Sequence, residues 1–164
     1  MLHTDTDTDY SRTPNGLIIL TGENFPIWRR EMLDHSLSLS PDLSIMIESG
    51  IDIILRPDPK NYPNAEQRFM AELKDYQDHR KAKAKLLSAM MRSMEPSIKA
   101  GVENHPEYDL ARGELDVVTL WKIIEKVANG TAKVSMDKVV FRLNNLKQNG
   151  ASDWPDFYRE WKRL

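Results

Sequence analysis

Apolar side chains recur at intervals of three and four along most of this chain, and proline and glycine divide them into segments. Phe25, Trp28, Met32 and Leu33 make the first stripe. A helix opening at Asn24 or Phe25 places Pro26 in its first turn, where the missing N–H leaves no bond unmade. Ser40 before Pro41 predicts a second start, with Leu43, Ile45, Met46 and Ile47 apolar until Gly50 stops the turn. Pro57, Pro59 and Pro63 make the next stretch a loop. Asn64 and Gln67 have the spacing of a reciprocal cap, and a helical period runs from there to Met94, ahead of Pro96. At about 1.5 Å per residue that helix is about 46 Å long. A compact domain of this size has a radius of gyration of about 15 Å, so the helix crosses the whole body or bends. Phe69, Leu73, Tyr76, Ala84, Leu87, Met91 and Met94 share its apolar face, and Arg80 falls on the same line. Residues 78–85 carry no large apolar side chain, which predicts a weakly anchored middle.

Beyond Pro96 the chain reads as irregular to Gly113, and three helices follow. The first carries Val117, Leu120, Trp121, Ile124 and Ala128 and is stopped by Asn129-Gly130. Met136, Val139, Val140, Leu143 and Leu146 line the second, stopped by Asn149-Gly150. Ser152 or Asp153 caps the third, with Pro155 in its first turn and Trp154, Phe157, Tyr158, Trp161 and Leu164 on one face. At the other end, residues 1–15 repeat Thr and Asp and read as a disordered acidic leader. Leu17–Leu20 is one short extended segment. The expectation is an all-α fold: one compact domain of about six helices spanning 16–164.

Composition narrows the function. The 164 residues hold 40% apolar side chains, enough for a core, and carry 23 basic against 25 acidic groups, a net charge of −2. A dedicated nucleic-acid binder usually has a basic excess. The absence of cysteine excludes disulfides, thiol nucleophiles and zinc knuckles, and with no signal-like or membrane-crossing run it predicts a cytoplasmic protein. The seven glycines stand apart, so no phosphate cradle is visible, and His3, His35, His79 and His105 lack metal-site spacing. Asp5, Asp7 and Asp9 begin like a calcium loop, but Tyr10 and Gly16 occupy the positions that need Gly and Glu. No serine sits on a nucleophile elbow, and Glu72 and Asp75 fall on a helix face expected to be solvated. The sequence predicts no enzyme, no metal and no cofactor. Arg80, Lys81, Lys83 and Lys85 form the densest basic cluster, a candidate for contact with RNA phosphates beside the plainer reading of a solvated face. Asn129-Gly130-Thr131 fits a glycosylation sequon, read here as a helix stop. Met90, Met91 and Met94 suit core packing or an adaptable surface.

The order of segments adds a resemblance. Leu20-Thr21-Gly22-Glu23-Asn24-Phe25-Pro26-Ile27-Trp28, with Met32 after it, resembles the opening of copia-type LTR-retrotransposon Gag proteins, in which an apolar residue, a Gly, an aromatic and a Trp introduce the first capsid helix. Tyr76–Met90 looks like that family's next long helix. Leu120-Trp121-Lys122-Ile123-Ile124, then Val139–Leu146 with Lys147, then Phe157–Leu164 are similar to its Trp helix, its Leu-rich helix and the aromatic helix that follows. The resemblance marks Phe25, Trp28, Met32, Trp121, Leu143, Leu146, Phe157 and Trp161 as motif positions. It implies a retroelement capsid protein that self-assembles into a shell around RNA, touching no membrane and no small-molecule substrate. The match is mainly to the N-terminal capsid lobe, with the C-terminal lobe and zinc knuckle absent from this chain. The alternative is a non-enzymatic helical adaptor that binds a protein or peptide partner.

Overall fold

Pro26 and Pro41 take the places their neighbours dictate, in the first turns of α1 (Phe25–Leu39) and α2 (Pro41–Ser49), and Gly50 closes α2 in the left-handed region at φ +74°. The computed structural model describes residues 10–148, and across them the fold is all-α. After α2 come a single 3-10 turn at Pro59–Asn61, then α3 (Glu66–Arg92), α4 (Pro96–Glu103), α5 (Tyr108–Glu114) and α6 (Val117–Gln148). Two isolated bridges, Arg12 with Ile18 and Leu20 with Met94, are the only β pairing among the described residues.

The core is where these helices meet. Trp28 and Met32 of α1, Leu43 of α2, Leu86 and Met90 of α3, Ile98 and Val102 of α4, and Leu120 and Ile124 of α6 are all essentially inaccessible to solvent. Each such side chain contributes about 1.5–3 kcal/mol on burial. Met91 and Met94 join them, so the methionine group at the end of α3 packs the core.

About six helices were expected and six are present among the described residues, but they are not the same six. Residues 96–113, read as irregular, form α4 and α5. Pro96, which ends the period of α3, also starts α4 at its first position. Two turns are too few for periodicity to register, yet Ile98 and Val102, four apart, are fully buried. Gly101 lets α4 lie close on α6: a Cβ there would stand 2.9 Å from Val127 Cγ1. The stop at Asn129-Gly130 does not occur either, and α6 runs through it to Gln148. Gly130 is not in the left-handed region that ends a helix, and the next residue, Thr131, seats against Gly22. The reciprocal cap at Asn64 is also absent. Asn64 is left-handed at φ +59°, Ala65 caps α3, and no side-chain cap bond forms. Ala84 of α3, placed by its spacing on the apolar face, is exposed, as is Ile45 among the apolar residues of α2.

The leader reaches the described residues at Tyr10, and there it is ordered rather than disordered. Arg12 Nη1 donates to Gly16 O at 2.7 Å and to Glu31 Oε1 of α1 at 2.9 Å. The Ile18 N–H also reaches Glu31, at 3.3 Å. The three acidic residues Asp5, Asp7 and Asp9 and the helix expected from Ser152 to Leu164, with Phe157 and Trp161, lie outside the described residues.

Candidate functional site

The motif around Trp28 is built from the chain inwards. Asn24 is buried and serves the turn before α1 with both ends of its amide: Oδ1 accepts the Thr21 N–H at 2.7 Å, and Nδ2 donates to Ile19 O at 2.9 Å. That turn directs Leu20 to the end of α3, where its N–H donates to Ser93 O at 2.7 Å and its carbonyl accepts from the Glu95 N–H at 3.0 Å. Trp28 Nε1 donates to the same Ser93, to its carbonyl and its hydroxyl, both at 3.1 Å. The Trp28 ring packs on Trp121 of α6, with centroids 5.6 Å apart, and on Phe25 at 6.0 Å. Gly22 completes the arrangement, because a Cβ there would stand 2.6 Å from Thr131 Cγ2. So Phe25, Trp28, Met32 and Trp121 come together in one packed unit. Leu143 is half-buried further along α6, and the side chain of Leu146 is outside the described residues.

The basic cluster on α3 divides. Arg80, Lys81 and Lys85 are exposed, so Arg80 does not lie on the apolar face as its spacing suggested. Lys83 is buried, and its Nζ donates to Asp52 Oδ2 at 2.8 Å, which removes it from any phosphate-binding surface. The other Asp52 oxygen, Oδ1, lies 3.0 Å from His79 Nε2 and also accepts the Ile54 N–H at 3.1 Å. Burial, the largest single influence, pulls the Asp52 carboxyl up, but the Lys83 hydrogen bond, the Ile54 N–H and the positive charges of Lys83 and His79 together outweigh it. Its pKa therefore falls below the ordinary carboxylate value of 3.8. A carboxylate only accepts, so the Asp52-facing nitrogen of His79 carries hydrogen. This clip holds the stretch of α3 that apolar periodicity left unanchored. Nothing local in the sequence marks it, because Asp52 lies 27 and 31 residues from its partners; the one available signal was a lone Asp amid Ile51, Ile53, Ile54 and Leu55.

Beside His79 a cleft of about 580 Å³ opens between the start of α2, residues 53–55 and the first half of α3. Its ionisable walls are acidic apart from His79: Asp42 from α2, and Glu72, Asp75 and Asp78 from α3. Glu72 is engaged by Arg68 at 3.3 Å and by the Tyr62 hydroxyl. The Tyr62 hydrogen bond lowers the Glu72 pKa and raises that of Tyr62. Asp42, Asp75 and Asp78 carry no ion pair among the described residues. Ile53 and Leu55 border the cleft with their side chains 70% and 76% exposed, which is unusual for aliphatic residues side by side. Among the described residues, no three His, Cys, Asp or Glu side chains are grouped to hold a metal ion, and no helix is long and apolar enough to cross a membrane. No family model, no curated protein and no solved structure matches this chain.

Proposed function

We propose that this protein is a structural capsid protein of the Gag type, from a copia-type LTR retrotransposon or a gene derived from one. On this reading it acts in the cytoplasm, self-assembling into a virus-like particle that packages RNA, and catalyses nothing. The observation that supports it is the unity of the motif residues. Leu20 and Trp28 both bond to Ser93, Trp28 packs on Phe25 and on Trp121, and Gly22 seats against Thr131 of the same helix as Trp121, so distant motif positions are joined in one packed region. Such a region makes a stiff body. A shell built from stiff bodies needs only small contacts repeated many times, because avidity supplies the strength that each contact lacks. Arg80, Lys81 and Lys85 remain on the surface as the part of the basic cluster free to meet RNA phosphates.

Electron microscopy of the full natural protein tests this reading. Particles of uniform curvature containing nuclease-protected RNA are expected; a protein that stays monomeric at every concentration would overturn it. A second reading, the non-enzymatic helical adaptor, is favoured by one observation, the exposed Ile51, Ile53 and Leu55 beside an open cleft.

A further inference from the structure

We propose that the groove between α1, α3 and the turn at residues 13–17 is the docking site of this chain's own acidic segment, residues 1–9. The groove holds about 840 Å³. Leu17, Leu39, Ala84 and Ala89 give it apolar walls, and the fold leaves Leu17 and Leu39 only half-buried. Every ionisable side chain that lines it among the described residues is basic: His35 from α1, and Lys85 and Arg92 from α3. Lys85 and Arg92 are exposed, His35 is half-buried, and none of the three has an ion pair among the described residues. The groove therefore combines apolar surface with uncompensated basic groups, which suits an anionic segment.

Charge and spacing both fit residues 1–9. They hold three carboxylates, Asp5, Asp7 and Asp9, and neither Lys nor Arg. Lys85 and Arg92 are seven residues apart, two turns of α3, so they share one face and stand about 10.5 Å apart along the helix. In an extended chain, alternate side chains fall on one side at intervals of about 6.6–6.8 Å. The Asp5–Asp9 span of about 13 Å then covers both cations within the reach of their long side chains.

The fold also delivers the segment to the groove. The turn is fixed by the Thr13 N–H to Leu17 O and the Ile19 N–H to Ser11 O, both at 2.8 Å, and Arg12 ties it to Glu31 of α1. Thr13 lines the groove, and Tyr10, where residues 1–9 join, is three residues away, at most about 11 Å. Nine more residues reach at most about 30 Å, well beyond what the span from Lys85 to Arg92 requires. So short a tether holds the carboxylates at millimolar effective concentration, and a contact of about millimolar affinity is then about half filled. A second copy or a separate acidic protein has no such advantage. On the proposed reading of Arg80, Lys81 and Lys85 as a surface for RNA phosphates, the docked segment also competes with RNA for Lys85.

The chain has no cysteine, so Thr6→Cys gives the full protein a single attachment point for a nitroxide spin label. In NMR spectra the label is expected to broaden the amides of His35, Lys85, Ala89 and Arg92. The broadening should fall at least about twofold in Asp5→Asn/Asp7→Asn/Asp9→Asn, and equally in Lys85→Gln/Arg92→Gln, which alters only exposed side chains and keeps the fold. No broadening, broadening centred elsewhere, or broadening that survives both variants would overturn the docking. So would broadening passed from a labelled copy to an isotope-marked unlabelled one in a mixture, since the occupant would then be a second copy. RNA is the separate arm. An oligouridylate is expected to bind the triple Asn variant at least about twofold more tightly than the unaltered chain, with no such gain in the Lys85→Gln background. Equal RNA affinity beside intact label effects would overturn the competition and the phosphate reading of Lys85, and would leave the docked segment in place.

Discussion

The two long helices each pass from a half that the core holds to a half that it does not. In α3 the held half is C-terminal, where Leu86, Leu87, Met90 and Met91 are buried against the other helices. In α6 it is N-terminal, through Val117, Leu120, Trp121 and Ile124. The other halves differ in kind. The first half of α3 is tied down by polar clips, with Asp52 on Lys83 and His79, and Tyr62 and Arg68 on Glu72. The second half of α6 instead leaves Met136, Val140 and Phe141 exposed, 62%, 47% and 68% respectively. Apolar burial fixes a helix without choosing a partner chemistry. A clip fixes one point and leaves the surroundings polar and open, and that is why the cleft lies along α3.

The largest test is in the held halves. Trp28→Ala should lower the unfolding free energy by about 3–5 kcal/mol in denaturant titration, since it empties the space between Ser93 and Trp121. Trp28→Phe should cost about 1–2 kcal/mol, because the ring remains while the Nε1 donor to Ser93 is lost. Equal losses for both variants would mean that the hydrogen bonds, not the packing, hold this centre.

The clip is the next largest. Asp52→Asn should cost about 2 kcal/mol, because it leaves the buried Lys83 ammonium facing a neutral amide. Lys83→Met in the same background should recover much of the loss, as expected when a buried ion pair is replaced by apolar packing. The pH dependence has a definite sign. The folded pKa of Asp52 is lowered, so its contribution is complete above the unfolded value near 3.8 and is lost as pH falls through the lower folded value. Asp52→Asn should therefore flatten the acid limb of a stability–pH curve and leave the neutral limb parallel to the wild type. An unchanged acid limb would assign acid sensitivity to other carboxylates.

This contrast also marks what was legible in the sequence. The stripes of α1, of the end of α3 and of the start of α6 were readable because each residue's neighbours three and four away carry the signal. The all-α class and the turns at Pro26, Pro41 and Gly50 followed from the same local rules. The clip was not readable, since Asp52 and Lys83 are far apart in the chain and each alone reads as a solvated charge. That is how Lys83 came to be grouped with Arg80, Lys81 and Lys85, and how the middle of α3 came to look unanchored. The short helices α4 and α5 were missed because two turns hold too little period to register, and the close approach of Val127 that Gly101 permits is a contact between residues far apart in the chain.

At the junction of the two halves of α6, packing decides against propensity. Gly22→Ala should cost about 1–2 kcal/mol, because its Cβ would stand 2.6 Å from Thr131 Cγ2 and the threonine can only partly turn away. Thr131→Ser removes that methyl and should rescue the variant. A double-mutant cycle measures the coupling, and simple additivity would show that α6 does not press on this turn.

The smallest effect separates two conformations outright. If Asn129-Gly130 ended the helix, Gly130 would be left-handed and Gly130→Ala would destabilise the protein through backbone strain. In the continuous α6, Gly130 is helical and a Cβ there meets nothing within 4 Å. Alanine then lowers the chain entropy lost on folding and clashes with nothing, so Gly130→Ala should stabilise by about 0.5–1 kcal/mol. The sign alone decides, and a shift in denaturation midpoint reads it. A gain means that α6 carries its exposed Met136, Val140 and Phe141 outward as one rod, rigidly joined to the Trp121 centre, whereas a loss would restore the turn and separate those residues from the core.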